Sequence, residues 1–313
     1  MERSGRRVAR IAVPVAVVVA FGGVAGYLAL RGHGPTAPVA KASRGDLMGR
    51  VEDLVRSMPL PGSDAYEVPS ASDREAMSSA FRLVQEGDLG NAAAVARPLG
   101  YEVRPFTDTA TGTHLVLLQR VAGHRSRGWG LFVWSPGSSS RLVVEVAHPL
   151  DDIDTPPVGV ETFRVAGARA LLVAGASRFA GTNGSADVAH APETVFEAVH
   201  RTLVDPRTVV FEPHGFEAAR HADYGDVVVS SGAFPPGPAA RAVAAALTSG
   251  GLTVCLYDGL HCSMLGGTTN VQGASTRAAG GEFLHVEMAP FMRADPKLRA
   301  QVAAAVAGAI RSG

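Results

Sequence analysis

The chain has 313 residues, 46% of them hydrophobic, and its 29 Lys and Arg residues are balanced by 29 Asp and Glu residues. This length supplies enough apolar surface for one large domain or two small ones. Zero net charge excludes the overall basic bias that is typical of nucleic-acid-binding proteins, so we expect no nucleic-acid partner.

The first 32 residues have the pattern of a membrane anchor or signal segment. Four Arg residues among the first ten precede residues 11–30, which carry no charge. A stretch of about 20 apolar residues can cross a bilayer, and the Arg cluster favours a cytoplasmic N-terminus. We therefore predict a single-pass membrane protein whose main domain is extracytoplasmic. Secretion after signal cleavage, near the small residues Ala37, Ala40 and Ala42, is the alternative.

Two segments connect this N-terminal stretch to the main domain. Residues 33–42 are rich in Gly, Pro and Ala and are predicted to be a linker. Residues 43–112 are predicted to be a small helical lead-in, because apolar residues recur there at helical spacing. The predicted helices cover residues 45–58, 72–86 and 92–99.

Residues 113–313 have the pattern of an α/β domain, because short apolar runs alternate with polar or Gly-rich breaks. The predicted strands cover residues 114–120, 130–134, 142–147, 168–174, 208–212, 226–230, 252–257 and 282–288. The predicted helices cover residues 194–204, 238–248 and 296–310. Strands with Val, Ile and Leu on both faces are typical of a sheet covered on both sides. We therefore predict a mixed, largely parallel sheet with helices on both faces.

Cys255 and Cys262 are the two cysteines of the chain and flank six residues. Two cysteines in an exported chain usually pair, so we predict a disulfide between them. A metal-binding role for Cys262 beside His261 is the alternative.

Two histidines each follow a predicted strand, namely His148 and His214. Ligands in open α/β sheets collect beyond the carboxyl ends of the strands, so we expect both imidazoles to reach one crevice. Two His and one carboxylate form the ligand set of a catalytic zinc site. Asp152 is our preferred carboxylate, and Asp151 and Asp154 stay open. Two strand-end histidines that only form hydrogen bonds in the core are the alternative interpretation.

Glu287 lies inside a predicted strand, where residue alternation places it on the same face as His285. Burial would raise the pKa of this carboxyl towards the working pH, which suits a general base. An edge position facing water is the alternative. Arg293 follows six residues later and is a candidate to bind a substrate carboxylate, unless it forms a surface salt bridge.

Two further polar residues are candidates for contact with substrate. His190 precedes a predicted helix, with Asp187 three residues earlier, and could support a ligand or touch substrate. Asn270 lies in a Gly-rich turn and offers an amide to a polar substrate. That turn lacks the spacing of a phosphate-binding loop, so we expect no nucleotide partner.

The order of these residues resembles that of the phage-type poly-γ-glutamate hydrolases and, more distantly, of the zinc carboxypeptidases. This resemblance spans residues 140–310 and implies a phosphorylase/hydrolase-like α/β fold. It also implies one zinc ion held by His148, a nearby Asp and His214. Glu287 would then be the general acid and base. The matching residues are His148, Asp152, His214-Gly215, Asn270 and His285-Val286-Glu287-Met288-Ala289-Pro290-Phe291-Met292-Arg293.

The chain departs from the family pattern at two places. The family's carboxylate ligand is usually Glu, whereas only Asp residues stand near His148, and Glu161 is the more distant fallback. The turn around Asn270 also lacks the adjacent Arg that carboxypeptidases use. By the resemblance, Asn270 and Arg293 contact the substrate.

These patterns together predict an exported, zinc-dependent amidohydrolase or peptidase that cleaves an amide bond with metal-activated water. The resemblance and the predicted location favour a γ-glutamyl or cell-wall-type peptide as substrate. A metal-free binding protein of the same fold and an envelope scaffold are the alternatives. A serine hydrolase is a further alternative, but no Gly-x-Ser-x-Gly elbow surrounds Ser230 or Ser231.

Overall fold

Ten strands form one mixed sheet in the computed structural model, which describes Met1 and residues 37–312. The strands are β1 (Ser43–Gly45), β2 (Tyr101–Asp108), β3 (His114–Arg120), β4 (Leu131–Trp134), β5 (Leu142–Val146), β6 (Ala170–Val173), β7 (Val209–Gly215), β8 (Val227–Ser230), β9 (Val254–Leu256) and β10 (Glu282–Met288). The helices are α1 (Leu47–Arg56), α2 (Ala71–Gln85), α3 (Leu89–Ala96), α4 (Thr155–Val165), α5 (Val195–His200), α6 (Pro238–Ser249), α7 (Val271–Ala278), α8 (Pro290–Ala294) and α9 (Pro296–Ser312).

The strand order is β1-β2-β3-β4-β6-β5-β7-β10-β8-β9. The four central strands, β6, β5, β7 and β10, run parallel to one another. Antiparallel pairs flank them, from β4 on one side and β8 on the other. The predicted mixed α/β sheet is therefore confirmed. The carboxyl ends of the four central strands lie at one edge, where ligands collect in such sheets.

Helices cover both faces of the sheet because alternate residues of the central strands are apolar on both sides. Val144 and Phe211 pack in one core with apolar residues of α1, α4, α6 and α9. Val143 and Val210, their neighbours in sequence, pack in a second core with α2, α3 and α5. Two separate apolar layers thus hold the central strands in place, and polar side chains on these strands are exceptions that need partners.

Residues 43–112, which were predicted to be a helical lead-in, also contribute strands to this sheet. β2 lies within it and pairs antiparallel with β3, from Tyr101 opposite Arg120 to Thr107 opposite His114. The described residues 37–312 belong to one compact unit. Pro105 interrupts the strand pattern of β2, which explains why the sequence favours helices alone in this segment.

The prediction of a single-pass membrane protein with an extracytoplasmic domain needs correction. Across residues 37–312, no helix combines the length and the apolar content that a bilayer crossing requires. The segment on which the prediction rested, residues 11–30, lies outside the described residues.

Cys255 and Cys262 form a disulfide, as predicted. Cys262 is therefore not a metal ligand, since its sulfur is bonded to Cys255. The bridge links the middle of β9 to the loop that leads towards α7.

Asp108, at the end of β2, fastens two helices to the sheet. The backbone N–H of Leu47 donates to its Oδ1 at 3.1 Å, and Arg164 Nε donates to its Oδ2 at 2.9 Å. Burial alone raises the pKa of Asp108, but the hydrogen bonds from Arg164 and Leu47 outweigh burial and leave the pKa below its ordinary value. The carboxylate therefore stabilises the folded chain in its charged form.

We expect Asp108→Asn to lower the free energy of unfolding at pH 7 by about 3 kcal/mol, because it removes the charge from a buried pair. Because the pKa of Asp108 is lower in the folded state than in the unfolded state, its carboxylate stabilises the fold fully above the unfolded-state pKa of about 3.9. This stabilisation is lost as the pH falls through the folded-state pKa. The gap between wild type and variant should therefore shrink below about pH 4. Denaturant unfolding at several pH values measures the gap. Asp53→Asn, on an exposed helix face, is the matched control, and a gap that is constant with pH would contradict the prediction.

Candidate active site

Three neighbouring parallel strands bring the predicted site residues to one edge of the sheet. His148 lies just beyond β5, His214 lies in β7, and Glu287 lies in β10. The register of β7 and β10 places His214 opposite Glu287 and Glu212 opposite His285. β7 is longer than predicted and continues to Gly215, so His214 is inside the strand rather than beyond its end.

The structure brings the three predicted metal ligands together. One nitrogen of His148, one nitrogen of His214 and one carboxylate oxygen of Asp152 all lie within 4.8 Å of one another. Asp152 Oδ2 is 3.4 Å from His148 Nδ1 and 3.0 Å from His214 Nδ1. The backbone N–H of Gly215 also donates to this oxygen, at 3.3 Å. Both rings are buried, and their Nδ1 atoms face a single carboxylate, that of Asp152, whose side chain is 12% exposed.

The other nitrogen of each ring, Nε2, contacts a second carboxylate. His148 Nε2 lies 2.8 Å from Asp187 Oδ1, and His214 Nε2 lies 2.6 Å from Glu212 Oε1. Each Nε2–H therefore donates away from the cluster, and each Nδ1 faces Asp152. This is the arrangement in which metal-binding histidines are usually fixed, with the far N–H on a carboxylate.

The charge balance of this cluster fits a divalent cation. Burial alone lowers the pKa of His214, but hydrogen bonds to Asp152 and Glu212 outweigh burial and hold the pKa well above its ordinary value. His214 can bond to Asp152 and Glu212 at the same time only if both of its nitrogens carry protons, so its ring is an imidazolium, with its centroid 5.0 Å from that of His148. A divalent cation would supply positive charge at the same place, between the two rings and Asp152.

Asp151 is not available to this cluster. The Ser177 hydroxyl donates to its Oδ1 at 2.7 Å, and the backbone N–H of Arg178 donates to its Oδ2 at 2.7 Å. Both oxygens thus bind the loop that follows β6. The neighbouring Asp152 is the carboxylate that faces the two imidazoles.

The two remaining candidate carboxylates also lie outside the ligand groups. Glu161 is in α4, where its Oε1 pairs with Arg299 Nε at 3.1 Å. Asp154 is the residue before α4 and adopts a left-handed conformation with φ 68°. Neither side chain belongs to the cluster around His148 and His214, so Asp152 is the best carboxylate ligand among the four.

Glu287 borders the same cluster from β10. Its side chain is 12% exposed, and its Oε2 has no hydrogen-bond partner within the described residues. Burial raises the pKa of Glu287 to about 7, while the neighbouring His214 opposes this rise. A carboxylate with this pKa can take up and release a proton near neutral pH, which is what a general base needs.

Asn270 and Arg293, which were predicted to contact substrate, are occupied within the protein. Asn270 Nδ2 donates to Glu212 Oε1, and its Oδ1 accepts the backbone N–H of Gly273 and caps α7. Arg293 Nε donates to the carbonyl of Met288 at 3.2 Å, and its Nη1 donates to the carbonyl of Ile153. These contacts give both residues a positioning role beside the site.

Arg293 also explains the glycine after His214. A Cβ atom at Gly215 would lie 2.4 Å from Arg293 Cζ, so only glycine lets the guanidinium pack against the strand here. His190, the third predicted substrate residue, has a side chain that is 47% exposed, and its Nδ1 lies 3.1 Å from Asp187 Oδ2. His190 therefore stands at the outer edge of the cluster, where a substrate can reach it.

The sequence did not single out three further residues of the site. Glu212 lies two residues before His214, and this spacing places both side chains on one face of β7. Asp187 lies 39 residues from His148, and no local pattern links them. Arg178 Nη2 donates to Asp187 Oδ2 at 2.7 Å, and its Nη1 lies 3.4 Å from His148 Nδ1. Arg178 thus places a partly exposed guanidinium at the cluster.

The serines considered as nucleophiles have structural roles. Ser230 is fully buried and its hydroxyl donates to the carbonyl of Gly266 at 2.7 Å. Ser231 Oγ accepts the backbone N–H of Gly237 at 2.8 Å. Neither hydroxyl bonds to a histidine, so neither has the activating base that a serine nucleophile needs.

No family model matches the chain, and no curated protein matches it in sequence. Solved structures of hydrolases are similar to it. A bacteriophage poly-γ-glutamate hydrolase matches with 14% identity over 55% of this chain and 83% of the other, at a TM-score of 0.39. N-formylglutamate amidohydrolase of Ralstonia eutropha JMP134 matches with 13% identity over 59% and 99%, at a TM-score of 0.40. A candidate metallopeptidase of Shewanella denitrificans OS217 matches with 13% identity over 76% and 90%, at a TM-score of 0.36.

We expect Asp187→Asn to weaken metal binding about 10–100-fold, because His148 would lose the carboxylate that orients its ring and raises its basicity. Competition with a chelator of known affinity measures the change. Asp258→Asn is the matched control, since Asp258 forms an exposed pair with His261 at 2.7 Å outside both ligand groups. Equal metal affinity in wild type and Asp187→Asn would show that Asp187 does not support the ligand.

Proposed function

We propose that this protein is a zinc-dependent hydrolase that cleaves an amide bond. The observation that carries the proposal is the convergence of His148 Nδ1 and His214 Nδ1 on one oxygen of Asp152, with both Nε2 atoms held by carboxylates. Two His and one carboxylate leave a fourth position open, as in catalytic zinc sites. Imidazole ligands suit zinc better than magnesium or calcium, which prefer oxygen ligands throughout.

The neighbouring side chains provide the rest of the chemistry. A bound zinc ion would polarise the scissile carbonyl and lower the pKa of water to about 7. Glu287 accepts the proton of the attacking water and passes it to the leaving amine. Arg178, which is partly exposed at the cluster, donates a hydrogen bond to the oxygen on which negative charge develops.

The proposed substrate is peptide-like. The motif resemblance favours a γ-glutamyl amide within this class, and a cell-wall-type peptide is the other form that we considered. Arg293 was predicted to bind a substrate carboxylate, but two of its donors bind backbone carbonyls. His190 and Arg178 are more exposed than Asp152, Asp187 and Glu287, so we assign recognition of polar substrate groups to them.

Metal removal tests this function. We expect a chelator to abolish hydrolysis of amide substrates, and stoichiometric zinc to restore it, because the ligand cluster has no other means of activating water. The substrate panel should include γ-glutamyl, α-linked and N-acyl-glutamate amides at equal concentration. Magnesium addition to the same chelated sample is the control and should restore nothing. Full activity in samples that hold no metal by elemental analysis would reject the proposal. If the protein binds neither metal nor substrate, the result would favour a scaffold function.

A further inference from the structure

A cleft lies at the end of the sheet opposite the candidate active site. Arg141 directly precedes β5, Arg207 lies two residues before β7, and Glu282 begins β10. The register sets the first residues of these strands side by side, with Val209 opposite both Leu142 and Glu282. The segments that lead into three parallel strands therefore meet at the amino-terminal edge, where they line a cavity of about 330 Å³.

Three arginines line this cavity, which we call the arginine cleft: Arg141, Arg207 and Arg277. None of the three forms an ion pair with a carboxylate in the part of the chain that the structure describes. Asp205 is close to Arg207 in sequence, but its Oδ1 accepts the backbone N–H of Arg207 and its Oδ2 faces Arg169 at 4.0 Å. Its carboxylate therefore does not pair with the guanidinium of Arg207.

Two of these arginines are partly buried and lack a counter-charge. Arg141 Nε is buried and has no hydrogen-bond partner within the described residues. Arg277 Nη1 donates to the carbonyl of Ser231 at 3.0 Å and packs on Gly232, where a Cβ atom would lie 2.6 Å from it. Burial lowers the pKa of Arg277, and no carboxylate offsets this effect. Buried charged groups are costly unless they are paired, so these guanidinium groups suit an anionic ligand.

Glu282 is the acidic residue that lines the arginine cleft, and its carboxylate is engaged by a helix. Its Oε1 accepts the backbone N–H of Ala239 in the first turn of α6. A Cβ atom at Gly237 would lie 2.5 Å from the same oxygen, so the helix start packs closely against this carboxylate. Three guanidinium groups thus stand against one carboxylate, which leaves the cleft with an excess of positive charge.

We propose that the arginine cleft binds the phosphoryl group of a small anionic ligand. A single guanidinium can occupy both oxygens of a carboxylate in a bidentate pair. Three guanidinium groups instead match a phosphoryl group, which offers three strong acceptor oxygens and close to two negative charges. The cavity is at the small end of the range of ligand sites, roughly 300–1,000 Å³, so it fits a compact head group.

This inference is independent of the proposed function, because the arginine cleft and the metal cluster lie at opposite edges of the sheet. Soluble phosphate esters and lipid head groups both carry a phosphoryl group. The chemistry of the cleft is the same for both sources, so the experiment includes one arm for each.

Calorimetric titration of the full chain with inorganic phosphate, at constant ionic strength, tests the inference. Wild type should bind one phosphate ion saturably. Arg141→Gln should weaken binding about 10–100-fold, the contribution of one hydrogen bond between charged groups. Arg207→Glu should weaken it about tenfold, because it replaces an attractive charge by a repulsive one at an exposed position. The exposed position makes this second variant informative even if Arg141→Gln does not fold.

Arg44→Glu is the matched control, because Arg44 is exposed in β1, lies outside the cleft and gives the same change in net charge. It should bind phosphate like wild type. His214→Ala should also bind phosphate like wild type, since its metal cluster is at the other edge. Three results would overturn the inference: no saturable binding by wild type, equal weakening in Arg44→Glu, or loss of binding in His214→Ala. Phosphate binding by a wild type that holds no zinc would instead remove the proposed function alone.

The source of the phosphoryl group is distinguished by two further probes. Glycerol 3-phosphate replaces inorganic phosphate in the titration, and phosphatidylcholine vesicles with and without phosphatidic acid are sedimented with the chain. Binding of the soluble ester without sedimentation assigns the cleft to a soluble ligand. Sedimentation that needs phosphatidic acid and is lost in Arg207→Glu assigns it to a lipid head group. Acetate that binds more tightly than phosphate would contradict the choice of a phosphoryl group.

Discussion

His214→Ala is expected to abolish metal binding and, with it, amide hydrolysis. This residue faces Asp152 with Nδ1 and bonds to Glu212 with Nε2, so its removal takes away one candidate ligand and the partner of two carboxylates. Loss of a residue that hydrogen-bonds to a metal ligand already lowers metal affinity about 10–100-fold, so loss of the ligand itself should lower it further. Hydrolysis should fall to the level of the buffer control.

Elemental analysis of purified wild type and His214→Ala measures this effect. We expect about one zinc ion per chain in the wild type, as the two-His, one-carboxylate set predicts, and a large loss in the variant. His114→Ala is the matched control, because His114 is exposed at the start of β3 and should keep the metal. Circular dichroism should show that both variants are folded. Equal, negligible metal in all three proteins would reject the enzyme hypothesis.

The sequence predicted the strands that position the site because each is a short apolar run with polar ends. β3 and β10 match the predicted ranges, and β5, β6 and β8 differ only at their ends. β2 was missed because Pro105 breaks its pattern. α4 was missed because Pro156 and Pro157 suggest a turn, although proline is well tolerated in the first turn of a helix.

The missed helices also determine the surroundings of two residues that were predicted to contact substrate. Asn270 was interpreted as a substrate contact because α7 was not predicted, and an Asn that precedes a helix caps it. Arg293 lies in α8, and that short helix turns its guanidinium back onto the carbonyl of Met288. In both cases the residue type was suited to substrate binding, but Asn270 Nδ2 donates to Glu212, and Arg293 donates through Nε and Nη1 to two backbone carbonyls.

The candidate ligands His148 and His214 were predictable and their hydrogen-bond partners were not. His148 and His214 could be found because a polar residue at the end of an apolar run is conspicuous. Their partners depend on loops that close over long sequence separations, such as the 39 residues between His148 and Asp187. Glu212 is the exception, because alternation along β7 places it beside His214.

Glu287→Gln is expected to keep the metal and to lower hydrolysis by about 10²–10⁴-fold, the usual contribution of a general base. The amide has the shape of the carboxyl group but cannot accept the proton of water. Glu287 must be deprotonated to act, so wild-type activity should rise with pH. Burial raises the pKa of Glu287 to about 7, and a bound cation would lower it, so the rise should occur at or below that pH.

Glu282→Gln is the matched control for this variant. Glu282 lies at the opposite end of β10, where its carboxylate accepts the backbone N–H of Ala239, and a glutamine can keep that hydrogen bond. Its metal content and activity should equal those of the wild type. Activity in Glu287→Gln that stays within a few-fold of wild type, with zinc still bound, would assign proton transfer to another group. The exposed His190 would then be the next residue to replace, because it is the remaining imidazole at the mouth of the cluster.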